Sequence, residues 1–137
     1  MNEILKLQPE RVFHYFNEIC KVPRPSKKEE KITAWLIEIG NKMGLDTKRD
    51  TIGNVLISKP ATKGKENVTP VIFQSHVDMV CEKNNDTTFD FDKDAILPYI
   101  DGEWLRAKGT TLGADDGIGM AIALAILESN EIEHGPI

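Results

Sequence analysis

Cysteine is scarce in this chain. Cys20 and Cys81 are the only two, and they lie too far apart for a metal-binding knuckle and too thinly for a disulfide-dense secreted scaffold. Two free structural thiols are expected. Long apolar runs are missing as well. The opening Met1-Asn-Glu-Ile-Leu-Lys6 has no apolar export core, and the most apolar stretch, residues 118–127, is too short to cross a bilayer. These two shortages predict a cytoplasmic protein without a membrane partner. Positive charge is in deficit too, with 17 Lys and Arg against 22 Asp and Glu and a net charge of -5. That balance, and the lack of interleaved aromatic and basic residues, argue against a nucleic-acid partner. No internal repeat or linker divides the sequence. Ser26 and Ser75 lack a nucleophile-elbow setting, and Gly113 to Gly119 lacks the ordered glycines of a phosphate-binding loop.

What remains is a composition for one domain with a substantial core: 137 residues, 40% hydrophobic and 28% charged. Pro9 suits a helix start, and Val12, Phe13, Phe16 and Ile19 recur at helical spacing, so a helix is expected over 9–21. Pro23-Arg-Pro25 breaks it. Ser26-Lys-Lys-Glu29 reads as a capping box with Ser26 at the N-cap. Ile32, Leu36, Ile39 and Met43 then share one helical face, and Gly44 offers a stop. Residues 45–50 and 54–58 read as short extended segments. Tyr99 to Leu105 places an Asp101-Gly102 turn between two further ones, with Trp104 as a packing residue. Ile118 to Leu127 is apolar almost all round and reads as a buried helix. Helices on both sides of a short-strand core indicate an α/β class with a central sheet flanked by helices.

Two stretches carry chemistry that a core does not require. Val71 to Phe73 reads as a short buried strand ending in His76 and Asp78, which share a side if the strand geometry persists. His76 can offer one ring nitrogen to a metal while Asp78 holds the other, which orients the ring and raises its basicity. A polar strand end is the alternative reading. The second stretch is Asp115-Asp116, bracketed by Gly113 and Gly117 at the start of the apolar helix. One of these carboxylates can cap the helix while the other faces a cation. Nitrogen and carboxylate oxygen suit zinc, with manganese or cobalt as alternatives. His134 has no evident reason to join them. Asp90, Asp92, Asp94 and Asp101 mimic a calcium loop but lack its glycine and terminal glutamate, so a solvated acidic loop is expected. Glu82 and Glu128 read as surface residues, and Cys81 as an inert thiol.

Two blocks then acquire a family meaning. Gln74-Ser-His76-Val-Asp78-Met-Val-Cys-Glu-Lys-Asn84 and Tyr99-Ile-Asp-Gly-Glu-Trp-Leu-Arg-Ala-Lys-Gly-Thr-Thr-Leu-Gly-Ala-Asp115-Asp116-Gly-Ile-Gly-Met120 resemble the cocatalytic zinc aminoacylase and dipeptidase superfamily. The resemblance is greatest to its aminoacyl-histidine, carnosinase-like branch. It implies a fold in which residues 1–137 form the amino-terminal portion of a zinc-peptidase catalytic domain. It implies two zinc ions in the complete enzyme, with His76 a terminal ligand, Asp115 the bridge between metals and Asp78 the carboxylate that orients a histidine ligand. The branch often carries asparagine where Asp116 stands. By the same resemblance the glutamate general base, further carboxylate ligands, a distant histidine ligand and a second domain fall after Ile137. The implied activity of the complete enzyme is metal-dependent hydrolysis of short peptides, with aminoacyl-histidine dipeptides as the expected substrates; a homo-oligomer fits this reading. The segment alone is expected to be inactive. Its alternatives are a non-enzymatic metal-binding or interaction module, or a related dipeptidase or aminoacylase of different specificity.

Overall fold

The computed structural model describes residues 3–137. A 3-10 turn, Glu3–Lys6, leads into helix α1 (Glu10–Cys20) and then α2 (Glu30–Lys42). Strands β1 (Asp46–Arg49), β2 (Val55–Ser58), β3 (Pro98–Asp101) and β4 (Trp104–Ala107) follow, and α3 (Ala114–Glu128) comes last. Among the described residues no helix is long and apolar enough to cross a membrane.

The expected first helix forms, with Pro9 as its N-cap. Its apolar stripe buries Phe16 and Ile19 completely, beside Tyr15 and Cys20. That stripe packs on Met120, Ala121 and Leu124 of α3, and Ile32 and Leu36 of α2 extend the same core. The helices α1 and α3 run antiparallel. Arg11, near the start of α1, forks onto both oxygens of Glu128 at the end of α3, at 2.6 and 2.7 Å. At the other end, a Cβ on Gly117 would lie 3.2 Å from the Phe16 ring. Glycine there lets the first turn of α3 settle onto α1. The expectation of an all-round buried α3 holds for one face only, since Ile122 on the other is exposed.

The capping box is displaced. Helix α2 starts at Glu30 with Glu29 as N-cap and no side-chain cap. Ser26 spends its hydroxyl on Asp78 instead, and Glu29 accepts the Lys27 amide at 2.5 Å. Local spacing suggested a cap, but a distant carboxylate took the donor. At the other end of α2, Gly44 adopts φ +71°, as a helix stop requires.

Two antiparallel ribbons stand between the helices, β1 with β2 and β3 with β4. The second turns through Gly102 at φ +61° with Asp101 opposite Trp104. Trp104 is 68% exposed and therefore does not pack as expected. The α/β class stands, but the central sheet is two separate ribbons among the described residues. The reason lies at Val71–Phe73. The buried strand expected there is unpaired, and Ile72 is 86% exposed. Only its ends are held: Val71 donates to the Pro136 carbonyl, and Met79 donates to Arg24, each at 3.0 Å. Ile137 exchanges two backbone hydrogen bonds with Lys59, just past β2. A cavity of about 790 Å³ separates β2 from this segment, lined by Val55, Leu56, Ile57, Val71 and Phe73 and by Leu124 of α3. An apolar run can ask for a strand, but a sheet needs a neighbouring backbone.

The α1–α3 contact is the centre of the core, so its loss should be costly. Phe16→Ala is expected to destabilise the fold by about 3–5 kcal/mol, read as a lowered midpoint of urea unfolding with an unchanged slope. A change below about 1 kcal/mol would contradict this placement of the core.

Candidate metal centre

The first turn of α3 is irregular, and the irregularity separates its two aspartates. Gly113 enters with φ +72°, and Asp115 (φ -90°, ψ 107°) and Asp116 (φ -110°, ψ 38°) both leave helical geometry. The peptide bond between the two is cis. Asp116 Oδ1 accepts the Gly119 amide at 3.2 Å, satisfying an amide of the first regular turn that has no partner within the helix. Asp115 is left to solvent, its side chain 98% exposed. The division of labour expected for the pair is therefore present in the backbone: Asp116 caps and Asp115 faces outward.

Asp115 meets His76 across the gap between two loops. His76 Nε2 lies 3.0 Å from Asp115 Oδ1, and Nδ1 lies 3.1 Å from both Asp78 Oδ1 and the Asp78 carbonyl oxygen. The imidazole is thus held between two carboxylates, each ring nitrogen with its own partner. The hydrogen bond to Asp115 raises the His76 pKa most, with help from Asp78 and against a small loss of solvent. Asp78 is itself braced. The Ser26 hydroxyl donates to its Oδ2, and this bond, aided by His76 and opposed by partial burial, keeps the carboxyl below the usual carboxylate range.

Behind the pair sits a residue that the sequence pattern did not reveal. Arg24 is 2% exposed, and its Nη1 donates to the carbonyls of Val77 and Asp78 at 3.2 Å each. Its Nη2 donates to the Gly113 carbonyl at 2.6 Å. The sequence marks Arg24 only as the centre of a helix-breaking Pro-Arg-Pro, which says nothing of its burial. Burial lowers its pKa, opposed by the thiols of Cys20 and Cys81 and by Asp78.

The remaining candidates lie elsewhere or are engaged otherwise. His134 bonds to Gly135 and, through its amide, to Thr62. Glu128 is taken by Arg11. In the acidic loop, Asp94 accepts the Asp90 amide, Asp90 accepts the Asp92 amide, and Lys28 and Lys93 pair with Asp92 and Asp90. This is a self-bonded turn in which Asp90 and Asp92 each pair with a lysine. Cys81 donates weakly to the Met79 carbonyl rather than to His76, and burial raises its pKa.

The donor set can be compared with a metal. Zinc takes imidazole nitrogen and carboxylate oxygen at about 2.0–2.2 Å, so two such ligands on one tetrahedral ion stand roughly 3.3–3.6 Å apart. His76 Nε2 and Asp115 Oδ1, hydrogen-bonded at 3.0 Å, stand a few tenths of an ångström closer than that, so a small separation of the two side chains would admit an ion between them. Asp78 on Nδ1 supplies the outer carboxylate that zinc-bound histidines commonly have. Among the described residues no group of three His, Cys, Asp or Glu converges on one point. The pair brings together two donors of the kinds a metal ion takes.

Comparison with known proteins follows the same line. No family model matches the chain. Over all 137 residues it is 51% identical to the cytosol non-specific dipeptidase of Escherichia coli, covering 28% of that protein. It is 54% identical to the aminoacylhistidine dipeptidase of Vibrio alginolyticus, whose crystal structure superposes with a TM-score of 0.96 over 99% of this chain and 28% of that one. An aminopeptidase PepT structure from Bacillus cereus matches at 28% identity and a TM-score of 0.70, over 93% of this chain and 34% of that one. The chain thus spans less than a third of the length of the dipeptidases it matches. The family resemblance read from the two blocks is borne out along the whole sequence.

The thiols give a direct check on this geometry. Burial pushes Cys20 up to about 12, with Arg24 opposing, and Cys81 is less deeply buried. Reaction requires the thiolate. Iodoacetamide at pH 8 should therefore alkylate Cys81 well before Cys20 in the folded chain, as read by peptide mass spectrometry. Faster labelling of Cys20 would contradict the packing described here.

Proposed function

We propose that this chain belongs to the zinc aminoacylase and dipeptidase superfamily and that residues 1–137 are the amino-terminal portion of the catalytic domain of a metal-dependent dipeptidase, a reading supported by its similarity to the two dipeptidases above. The contact of His76 Nε2 with Asp115 Oδ1 at 3.0 Å carries this reading, because it brings two metal-type donors from distant parts of the chain to one point. His76 would hold a zinc ion through Nε2, and Asp115 would hold it through its carboxylate with a second oxygen available to another ion. Asp78 orients the His76 ring. The metals, zinc first and manganese or cobalt as alternatives, would supply Lewis acidity toward the scissile peptide carbonyl.

The chain's own residues prepare that chemistry. Asp78 holds Nδ1, so Nε2 is aimed at Asp115. The Ser26 hydroxyl keeps Asp78 fixed and charged. The exposure of Asp115 leaves its second oxygen free to reach a second ion. The general base and the remaining ligands come from polypeptide outside this segment. The cavity between β2 and residues 71–78 is suited to one more strand, which would join the edge that Ile137 and Lys59 begin. The substrate is a short peptide with a free amino end, and aminoacyl-histidine dipeptides are the preferred class.

A polypeptide of the relatives' full length that carries this sequence, folded and zinc-loaded, is expected to hydrolyse aminoacyl-histidine dipeptides. Asp78→Ala should cost roughly 10–100-fold in kcat/KM, the usual effect of removing a ligand's orienting partner. His76→Ala and Asp115→Ala should each cost more. No turnover across a dipeptide panel by such a protein would overturn the proposal. Residues 1–137 alone should show no peptidase activity, and zinc-dependent turnover abolished by Asp115→Ala in that chain would contradict their incompleteness.

A further inference from the structure

We propose that Arg24 is a positioning residue that sets the separation of His76 and Asp115 by clasping the backbones of both loops at once; this assignment rests on the metal-centre reading above. The segments that carry His76 and Asp115 pair only farther along, where Lys83 and Thr110 form an isolated antiparallel bridge, the Thr111 amide donates to the Glu82 carbonyl at 2.9 Å and the Thr111 hydroxyl donates to the Val80 carbonyl at 2.7 Å. Residues 71–78 lie outside any strand, and the backbone at Asp115 and Asp116 is not helical. Those ties end at Val80 and Thr111, short of His76 and Asp115 themselves.

Arg24 has the geometry to do so. One guanidinium nitrogen donates to the carbonyls of Val77 and Asp78, next to His76. The other donates to the carbonyl of Gly113, two residues before Asp115. A guanidinium is a rigid plane, so fixing one nitrogen against the first loop fixes the other against the second. A buried cation would ordinarily be paired with a carboxylate. Arg24 forms no ion pair within 4.0 Å among the described residues, and its side-chain hydrogen bonds all end on these three carbonyls. The charge thus strengthens bonds whose only targets are the two loops.

The surroundings are shaped to this side chain. A Cβ on Gly113 would lie 2.6 Å from Arg24 Nη2, and one on Gly117 would lie 2.8 Å from it. The two glycines that bracket Asp115 and Asp116 therefore make room for the guanidinium. The main chain of Arg24 adds a second tie, accepting the Met79 amide at 3.0 Å, and Pro25 bridges to Met79 in parallel. Ser26 completes the run by donating to Asp78. Three consecutive residues thus hold the His76 loop, and only Arg24 also reaches the Asp115 loop.

The test is nuclear magnetic resonance on the metal-free 137-residue chain, so it does not depend on catalysis. Wild type should show contacts between the His76 ring and the Asp115 side chain, with both ring nitrogens shifted by hydrogen bonding. In Arg24→Lys and Arg24→Met, the α1–α3 core contacts around Phe16 and Leu124 should persist. The His76–Asp115 contact should be lost, and the Nε2 signal should move toward that of a free imidazole. Ser26→Ala, which removes the brace on Asp78 alone, should keep the His76–Asp115 contact. Retention of that contact in either Arg24 variant would overturn the proposal. Complete unfolding of both variants would overturn it as well, because Arg24 would then be a general core residue. A longer polypeptide inactive on dipeptides, with this clasp intact, would instead sink the functional reading alone.

Discussion

The packing of α1 against α3 governs the rest of the molecule. Phe16 is completely buried against the first turn of α3, at a glycine that admits the close approach. Burying a side chain of that size is worth about 1.5–3 kcal/mol before any cavity cost. That contact fixes where α3 begins, and the beginning of α3 is where Asp116 caps and Asp115 turns outward. Arg11 and Glu128 close the far end of the same helix pair. The candidate metal centre is thus an extension of the core, built on its edge.

The centre itself adds little to stability. His76 is half exposed and the Asp115 side chain almost fully so. Exposed ion pairs contribute about 0–1 kcal/mol, screened further by salt. Folding alone would not require an imidazole held between two carboxylates at such a surface. A role in binding explains it better, since each ring nitrogen is already oriented and the outward nitrogen faces a second oxygen donor. A buried support behind an exposed imidazole and carboxylate is the arrangement a metal site needs: rigid backing with access from outside.

Much of this was readable from the residues, for physical reasons that differ by element. The helices were legible because Val12, Phe16 and Ile19, then Ile32 and Leu36, repeat at helical spacing and meet one core. The β3–β4 ribbon was legible from Asp101-Gly102, since glycine accepts the positive φ that the turn demands. Val71 to Phe73 misled because an apolar run records a preference for burial and cannot report whether a neighbouring strand is there. Ser26 misled because its partner, Asp78, is distant in sequence. At the site, His76 and Asp115 stood out as polar residues at an element's edge, but their meeting needed the fold. Arg24 gave no signal at all. Its burial depends on carbonyls supplied by two other loops, and composition cannot register them.

The central claim is that His76 and Asp115 are ligands of one metal ion. A crystal of a full-length polypeptide carrying this sequence, soaked in zinc and measured on both sides of the zinc absorption edge, tests it most directly. The account predicts an anomalous peak within bonding distance of both His76 Nε2 and an Asp115 carboxylate oxygen, with Asp78 still on Nδ1. Zinc bound elsewhere in well-ordered density, with His76 still bonded directly to Asp115, would contradict it.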